Sequence, residues 1–157
     1  MTVMKKIFSL LVFASIIGTT TSQELVEIDG DFLTSNNEKA GGAYETFYND
    51  GSVKAQYNFV DGKEHGATVI YHTNGTTKEI GTYKYGTKVG EWKSWDEKGN
   101  VTGIVSFNQK GERNGTWVIW DENGTKRAQM EYTNGKRSGV WKTWTEDGKL
   151  AEEKSYN

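Results

Sequence analysis

The chain contains no cysteine and no proline, only two histidines, and little net charge. Without cysteine there is no disulfide, no thiolate nucleophile and no thiolate metal ligand, so packing and hydrogen bonds must carry the stability. Without proline, the turn signals fall to the 19 glycines. His65 and His72 stand in a glycine-rich junction and beside a turn. No cysteine or clustered carboxylate completes a metal site around them, so both read as plain surface histidines. Neither a Ser-His-Asp arrangement nor a phosphate loop is visible. The sequence therefore predicts no enzyme, no catalytic residue, no bound metal and no cofactor.

Long hydrophobic runs are also missing, with one exception at the N-terminus. "MTVMKKIFSLLVFASIIGTTTSQE" has basic Lys5 and Lys6, an apolar stretch from Ile7 to Gly18, and small residues Thr20, Thr21 and Ser22 before Gln23. That order is the layout of a secretory signal peptide over residues 1–22, and the apolar stretch is too short to span a membrane as a helix. A buried N-terminal helix is the alternative. Since no cysteine ends the leader, no lipid-modified cysteine follows. The mature chain from Gln23 is expected to be exported, periplasmic or secreted, with no integral membrane segment. It keeps 17 of the 19 Lys and Arg, having lost Lys5 and Lys6, against all 21 acids. A net charge near −4 argues against nucleic acid or an anionic membrane as the main partner.

What the chain has in quantity is repetition. Aligned on Gly42, Gly66, Gly90, Gly115 and Gly139, residues 42–157 fall into five units spaced 24, 24, 25 and 24. Residues 23–41 form a lead-in. A second glycine follows nine residues into every unit (Gly51, Gly75, Gly99, Gly124, Gly148), and four units have a third (Gly62, Gly86, Gly111, Gly135). These glycines stand mostly after Asp, Asn or Lys, one short strand apart, which predicts hairpin turns with positive φ at glycine. The fold class expected is all-β: an elongated antiparallel meander of β-hairpins.

Three columns hold the aromatic residues. The first is Tyr44, Thr68, Trp92, Trp117 and Trp141, the second Phe47, Tyr71, Trp95, Trp120 and Trp144. The third is Phe59, Tyr83, Phe107, Tyr132 and Tyr156. All six tryptophans are in the first two. A motif that recurs at a fixed interval is a stacking unit, in which each copy buries its rings against the next.

The junctions "YTNGKRSGVW", "FVDGKEHGAT" and "YKYGTKVGEW" resemble MORN repeats, in the variant found in bacterial antitoxin-like proteins, over Gly42 to Asn157. The Gly-x-Gly of the commoner form is here Gly-x-Trp or Gly-x-Tyr. "FNQKGERNG" has one extra residue, a bulge or a longer loop. Choline-binding repeats are the nearest competitor, but their period is shorter and their wording differs. The resemblance implies a twisted single-layer sheet and a role in binding or scaffolding, without naming the partner.

Asp96-Glu97 and Asp121-Glu122 resemble the acid pair of a glycosidase. They occupy one turn position in successive units, however, where a short acceptor side chain favours the turn. The two tryptophans of Gly-x-Trp-x-x-Trp are three apart, so a strand sends them to opposite faces. With "DENG" as a four-residue loop, Trp120 opposes Thr125 and Trp117 opposes Ala128. Trp117, Ile119, Ala128, Met130 and Tyr132 then share an apolar face. The other face takes Trp120 and Val118 with Thr125, Arg127 and Gln129; in the third unit it takes Trp95, Lys93, Asn100 and Thr102. The binding candidates are thus Phe47, Tyr71, Trp95, Trp120 and Trp144, an aromatic stripe on a polar face. The partner expected is a protein, a toxin-like one among the readings, with a glycan as the alternative; a ring that folds onto its own turn is the plainer reading.

Overall fold

The computed structural model describes residues 9–14 and 21–157. Lys5, Lys6 and Thr20 of the expected leader lie outside the described residues. The strands are β1 (Ser9–Ala14), β2 (Thr21–Ile28), β3 (Asp31–Leu33), β4 (Gly42–Phe47), β5 (Val53–Val60), β6 (Lys63–Glu64) and β7 (Gly66–Tyr71). They continue with β8 (Thr77–Lys84), β9 (Thr87–Trp95), β10 (Val101–Phe107), β11 (Gly115–Trp120), β12 (Lys126–Thr133), β13 (Lys136–Trp144) and β14 (Leu150–Tyr156). Among the described residues there is no helix.

All strands join one open antiparallel sheet. From β4 to β14 it is the meander the glycine spacing predicts, apart from β6, a short strand on β5. The N-terminal end is not a simple meander. There β1 lies between β4 and β2, pairing Val12 with Thr46 and Phe13 with Glu45 of β4. This strand falls within the residues read as the leader.

The lead-in does more than precede the array. Its hairpin β2–β3 turns through Asp29-Gly30, both at positive φ, as do Asp61-Gly62, Tyr85-Gly86 and Asn134-Gly135 between units. The hairpin folds onto the first unit. The Phe32 N–H donates to the Gly62 carbonyl at 2.7 Å, and the Gly62 N–H to the Ala40 carbonyl at 2.9 Å. Asp31 takes ion pairs from Lys63 at 2.7 Å and Lys39 at 3.2 Å. Hydrogen bonds from these two ammonium groups hold its carboxyl below the usual carboxylate range. Beneath lies the core cluster of Leu25, Ala40, Tyr44 and Phe59, with Phe32 and Tyr57 packed against it.

Two irregularities recur along the array that the sequence does not announce. Within the hairpin, the Asp121 N–H donates to the Thr125 carbonyl and the Gly124 N–H to the Asp121 carbonyl, a three-residue loop instead of the expected four-residue one. A bulge follows, so that Trp120 pairs with Lys126 while Ile119 pairs with Ala128, leaving Arg127 as the extra residue. Loop and bulge each shift the pairing by one. The sum is two, so Trp117 meets Met130 instead of Ala128, yet both stay on the expected face. The same bulge recurs in the other four units. Between units the pairing shifts again beside Gly-x-Trp: Gln129 pairs with Lys142 but Glu131 with Ser138. Gly139, at φ 60°, supplies the left-handed backbone there, which explains the opening glycine of the motif. "FNQKGERNG" takes the longer-loop option, with Asn108 N–H donating to the Glu112 carbonyl.

Strand β14 is the open C-terminal edge, exposed along nearly its whole length and charged, with Glu153 paired to Lys142 at 3.1 Å. Charged side chains discourage further pairing at an edge. Replacing Lys149, Glu152, Glu153 and Lys154 by Val or Thr should therefore cause self-association, read by light scattering. Unchanged scattering would mean that the edge is protected in another way.

Candidate functional site: the second aromatic column and its sheet face

The first and third columns form a ring ladder on one face. Phe107, Trp117, Tyr132, Trp141 and Tyr156 follow one another with centroids 5.0–5.3 Å apart, tilted or edge-on. These geometries suit the aromatic quadrupole. The indole N–H of Trp117 donates to the Ser106 carbonyl at 2.8 Å, and that of Trp141 to the Glu131 carbonyl at 2.9 Å. Both rings are half-buried, less deep than a core assignment implies. Trp92 is the exception, only 1% exposed. Its ring lies on the backbone of Gly81, where a Cβ would overlap the indole. Gly81 is paired with Thr68, the one member of the first column without a ring. The two small residues leave room, and the Trp92 indole occupies it.

The opposite face shows a continuous cross-strand row: Glu45, Gln56, Val69, Ile80, Lys93, Ile104, Val118, Gln129, Lys142 and Glu153, each paired with the next. The second column runs beside it, two residues further along each first strand. Phe47, Tyr71, Trp95, Trp120 and Trp144 are thus brought onto one face, and all five are half-buried. Contacts agree with that placement: the Tyr71 hydroxyl donates to Gln56 Oε1 at 3.0 Å, and Lys93 Nζ lies 5.3 Å over the Trp95 ring.

Two details correct the sequence reading. The stripe does not lie on an otherwise polar face, because Val69, Ile80, Ile104 and Val118 border it, and Ile80 is 41% exposed. Single units hid this row, which appears only once all strands are in register. Thr102, expected beside Trp95, is the extra residue of its bulge and instead donates to Ser94 Oγ at 3.1 Å. Thr125 likewise does not oppose Trp120; Lys126 does.

The indoles of the stripe differ from those of the ladder. Among the described residues, the N–H groups of Trp95, Trp120 and Trp144 have no protein acceptor, and the Trp120 ring has no aromatic or cationic partner. Lys126 Nζ lies 5.2 Å over Trp144. The backbone beneath is pinned instead. Tyr48 O–H donates to the Tyr71 carbonyl at 2.6 Å, His72 Nε2 to the Trp95 carbonyl at 2.9 Å, and Arg127 Nε to the Trp144 carbonyl at 3.1 Å. His72 is therefore a link between units, with its proton on Nε2. His65 packs edge-on against Tyr85 at 4.5 Å. Both histidines are half-buried, so neither is the plain surface residue expected.

The paired acids serve their turns. Asp96 Oδ1 accepts from the Lys98 and Asn100 N–H groups, and Asp121 Oδ1 from those of Asn123 and Thr125. The Asn100 side-chain amide is the main cause holding the Asp96 carboxyl below its ordinary range. Open depressions of about 450 and 260 Å³ flank the first two stripe residues, lined by Phe47, Lys54 and Thr73 and by Val53, Gln56 and Tyr71.

The family described as MORN repeat variant matches residues 40–61, 64–85, 88–109, 113–134 and 137–157. The chain belongs to that family. Each match begins two residues before the opening glycine of a unit, so the MORN copies and the hairpins seen here share one phase. No curated protein matches the chain. No helix among the described residues is long and apolar enough to cross a membrane, which leaves strand-based insertion aside. MORN repeats are compatible with protein binding, and in this array the half-buried indoles of Trp95, Trp120 and Trp144 carry N–H groups that no protein acceptor takes up among the described residues.

Proposed function

We propose that this MORN-repeat chain is a non-catalytic, exported protein-binding module that engages its partner with the stripe face. The observation carrying this reading is the contrast between columns: Trp117 and Trp141 spend their indole N–H groups on backbone carbonyls, whereas Trp95, Trp120 and Trp144 do not. Tryptophans among aliphatic and polar neighbours, each with a free donor, are the composition of a recognition surface. A protein partner is favoured over a glycan because Lys93 and Lys126 cover ring faces on which a sugar would stack. Val69, Ile80, Ile104 and Val118 add apolar area that a sugar does not need. A toxin-like protein that the chain neutralises is the partner class proposed within this reading.

The wild-type chain should capture a stoichiometric protein from its source extract, and Trp120→Ala with Trp144→Ala should lose it at only a small cost in melting temperature. Equal capture by both, or binding to purified envelope glycan instead, would overturn the reading. Export has its own check. Sequencing of the mature N-terminus should find Gln23 or a neighbour; an intact Met1 in a cytoplasmic fraction would contradict it.

A further inference from the structure

The ladder face, opposite the stripe, presents a second regular feature. Each third-column ring is paired across its turn with the second residue after the turn glycine: Phe59 with Glu64, Tyr83 with Lys88, Phe107 with Arg113 and Tyr132 with Arg137. The row is acidic in the first unit and basic in the next three. Arg113 lies 4.9 Å over Trp117 and 5.3 Å over Tyr132, and its Nη1 donates to the Tyr132 hydroxyl at 3.0 Å. Arg137 repeats the arrangement on Trp141 and Tyr156, at 4.7 and 5.5 Å, with a bond of 3.1 Å to the Tyr156 hydroxyl. Lys88 Nζ sits 3.6 Å over Trp92 and is paired with Glu79.

Both arginines are exposed, and neither has a carboxylate partner among the described residues. A guanidinium carries five donors in a rigid fork, and each of these commits one to a tyrosine. Stacking fixes the plane, so the remaining donors face solvent already oriented. The ordering cost that usually weakens an exposed arginine contact is largely met before a ligand arrives.

We propose that the ladder face binds an acidic, proline-rich segment in the polyproline II conformation, with carboxylates at every third residue on Arg113 and Arg137. The spacing carries the choice of ligand. Equivalent residues of successive units are two strands apart, roughly 9.5 Å. A polyproline II helix has three residues per turn at about 3.1 Å each, so residues three apart share a side and lie roughly 9.3 Å from one another. A β-strand ligand puts same-side residues roughly 6.7 Å apart and cannot seat carboxylates on both arginines at once. Glu64 ends the basic row, which confines the ligand to the part of the array beyond the first unit. An anionic membrane fits less well, since the mature chain is itself net negative.

The test titrates the full chain with a synthetic peptide of four Glu-Pro-Pro repeats, followed by tryptophan fluorescence at low salt. Saturable binding is expected, weakened roughly tenfold by Arg113→Gln and again by Arg137→Gln. It should be absent with Lys-Pro-Pro repeats, weaker with carboxylates at every fourth residue, and unchanged by Trp120→Ala, which separates this face from the stripe. Arg113→Lys and Arg137→Lys keep charge and ring contact but lose the fork, so they decide the matter if the Gln variants unfold: they should bind less tightly than the wild type. Equal binding of all peptides, binding untouched by every arginine variant, no binding at millimolar peptide, or preference for phosphatidylserine vesicles would each overturn the proposal.

Discussion

Replacing Gly81 with alanine should destabilise the fold by about 2–3 kcal/mol, although alanine is ordinarily no worse than glycine in a strand. The backbone at Gly81 is not left-handed, so strain in φ is not the reason. The cause is the Trp92 indole, which lies where the new methyl group must go. Trp92→Ala should itself cost about 3–5 kcal/mol, because a ring 1% exposed leaves a cavity that a strand backbone cannot close. The two changes act on one contact. Made together they should cost no more than Trp92→Ala alone, a coupling that urea unfolding of the four proteins measures directly. Additive losses would show that the indole does not rest on Gly81.

The second large effect separates the tryptophan columns. Trp117→Ala removes a ring held between Phe107 and Tyr132 and a hydrogen bond to the Ser106 carbonyl. It also removes the surface on which Arg113 stacks. Since the ring is only half-buried, the expected cost is about 3 kcal/mol, at the lower end of the range for tryptophan deletions. Trp120→Ala, three residues away on the same strand, removes a ring with no such partners and should cost about 1 kcal/mol or less. Trp141→Ala and Trp144→Ala should repeat the contrast one unit later, where Trp141 donates to the Glu131 carbonyl. Equal losses in melting temperature from both columns would place the stripe in the core and remove the basis for the proposed surface.

The glycine spacing made the hairpins legible because a residue at positive φ is costly for anything else, so turns write themselves into sequence. The columns were legible for a related reason: repetition multiplies a weak periodic signal five times. Pairing was harder to read. Loop length and bulge are not visible in "DENG", and two shifts of one residue added to two, which keeps every residue on its face, so the faces of Trp117 and Trp120 came out right while their partners did not. The aliphatic row from Val69 to Val118 needs every register at once, which no single unit contains. Along the chain, Thr68 is only the ringless member of its column, and its partner Gly81 belongs to no column. Their meaning lies in Trp92, a neighbour across the sheet and not along the chain. Nor did His72 stand out as a link, because its counterpart in the preceding unit is Tyr48 and only the shared acceptor position relates them.

The division of labour between the two faces is tested most directly by hydrogen exchange at the six indole N–H groups of the chain, followed by NMR. The account predicts slow exchange at Trp92, Trp117 and Trp141, whose donors are buried or bonded to the backbone, and fast exchange at Trp95, Trp120 and Trp144. Comparable protection in both groups would contradict it, for the stripe would then have no free donors to offer a partner.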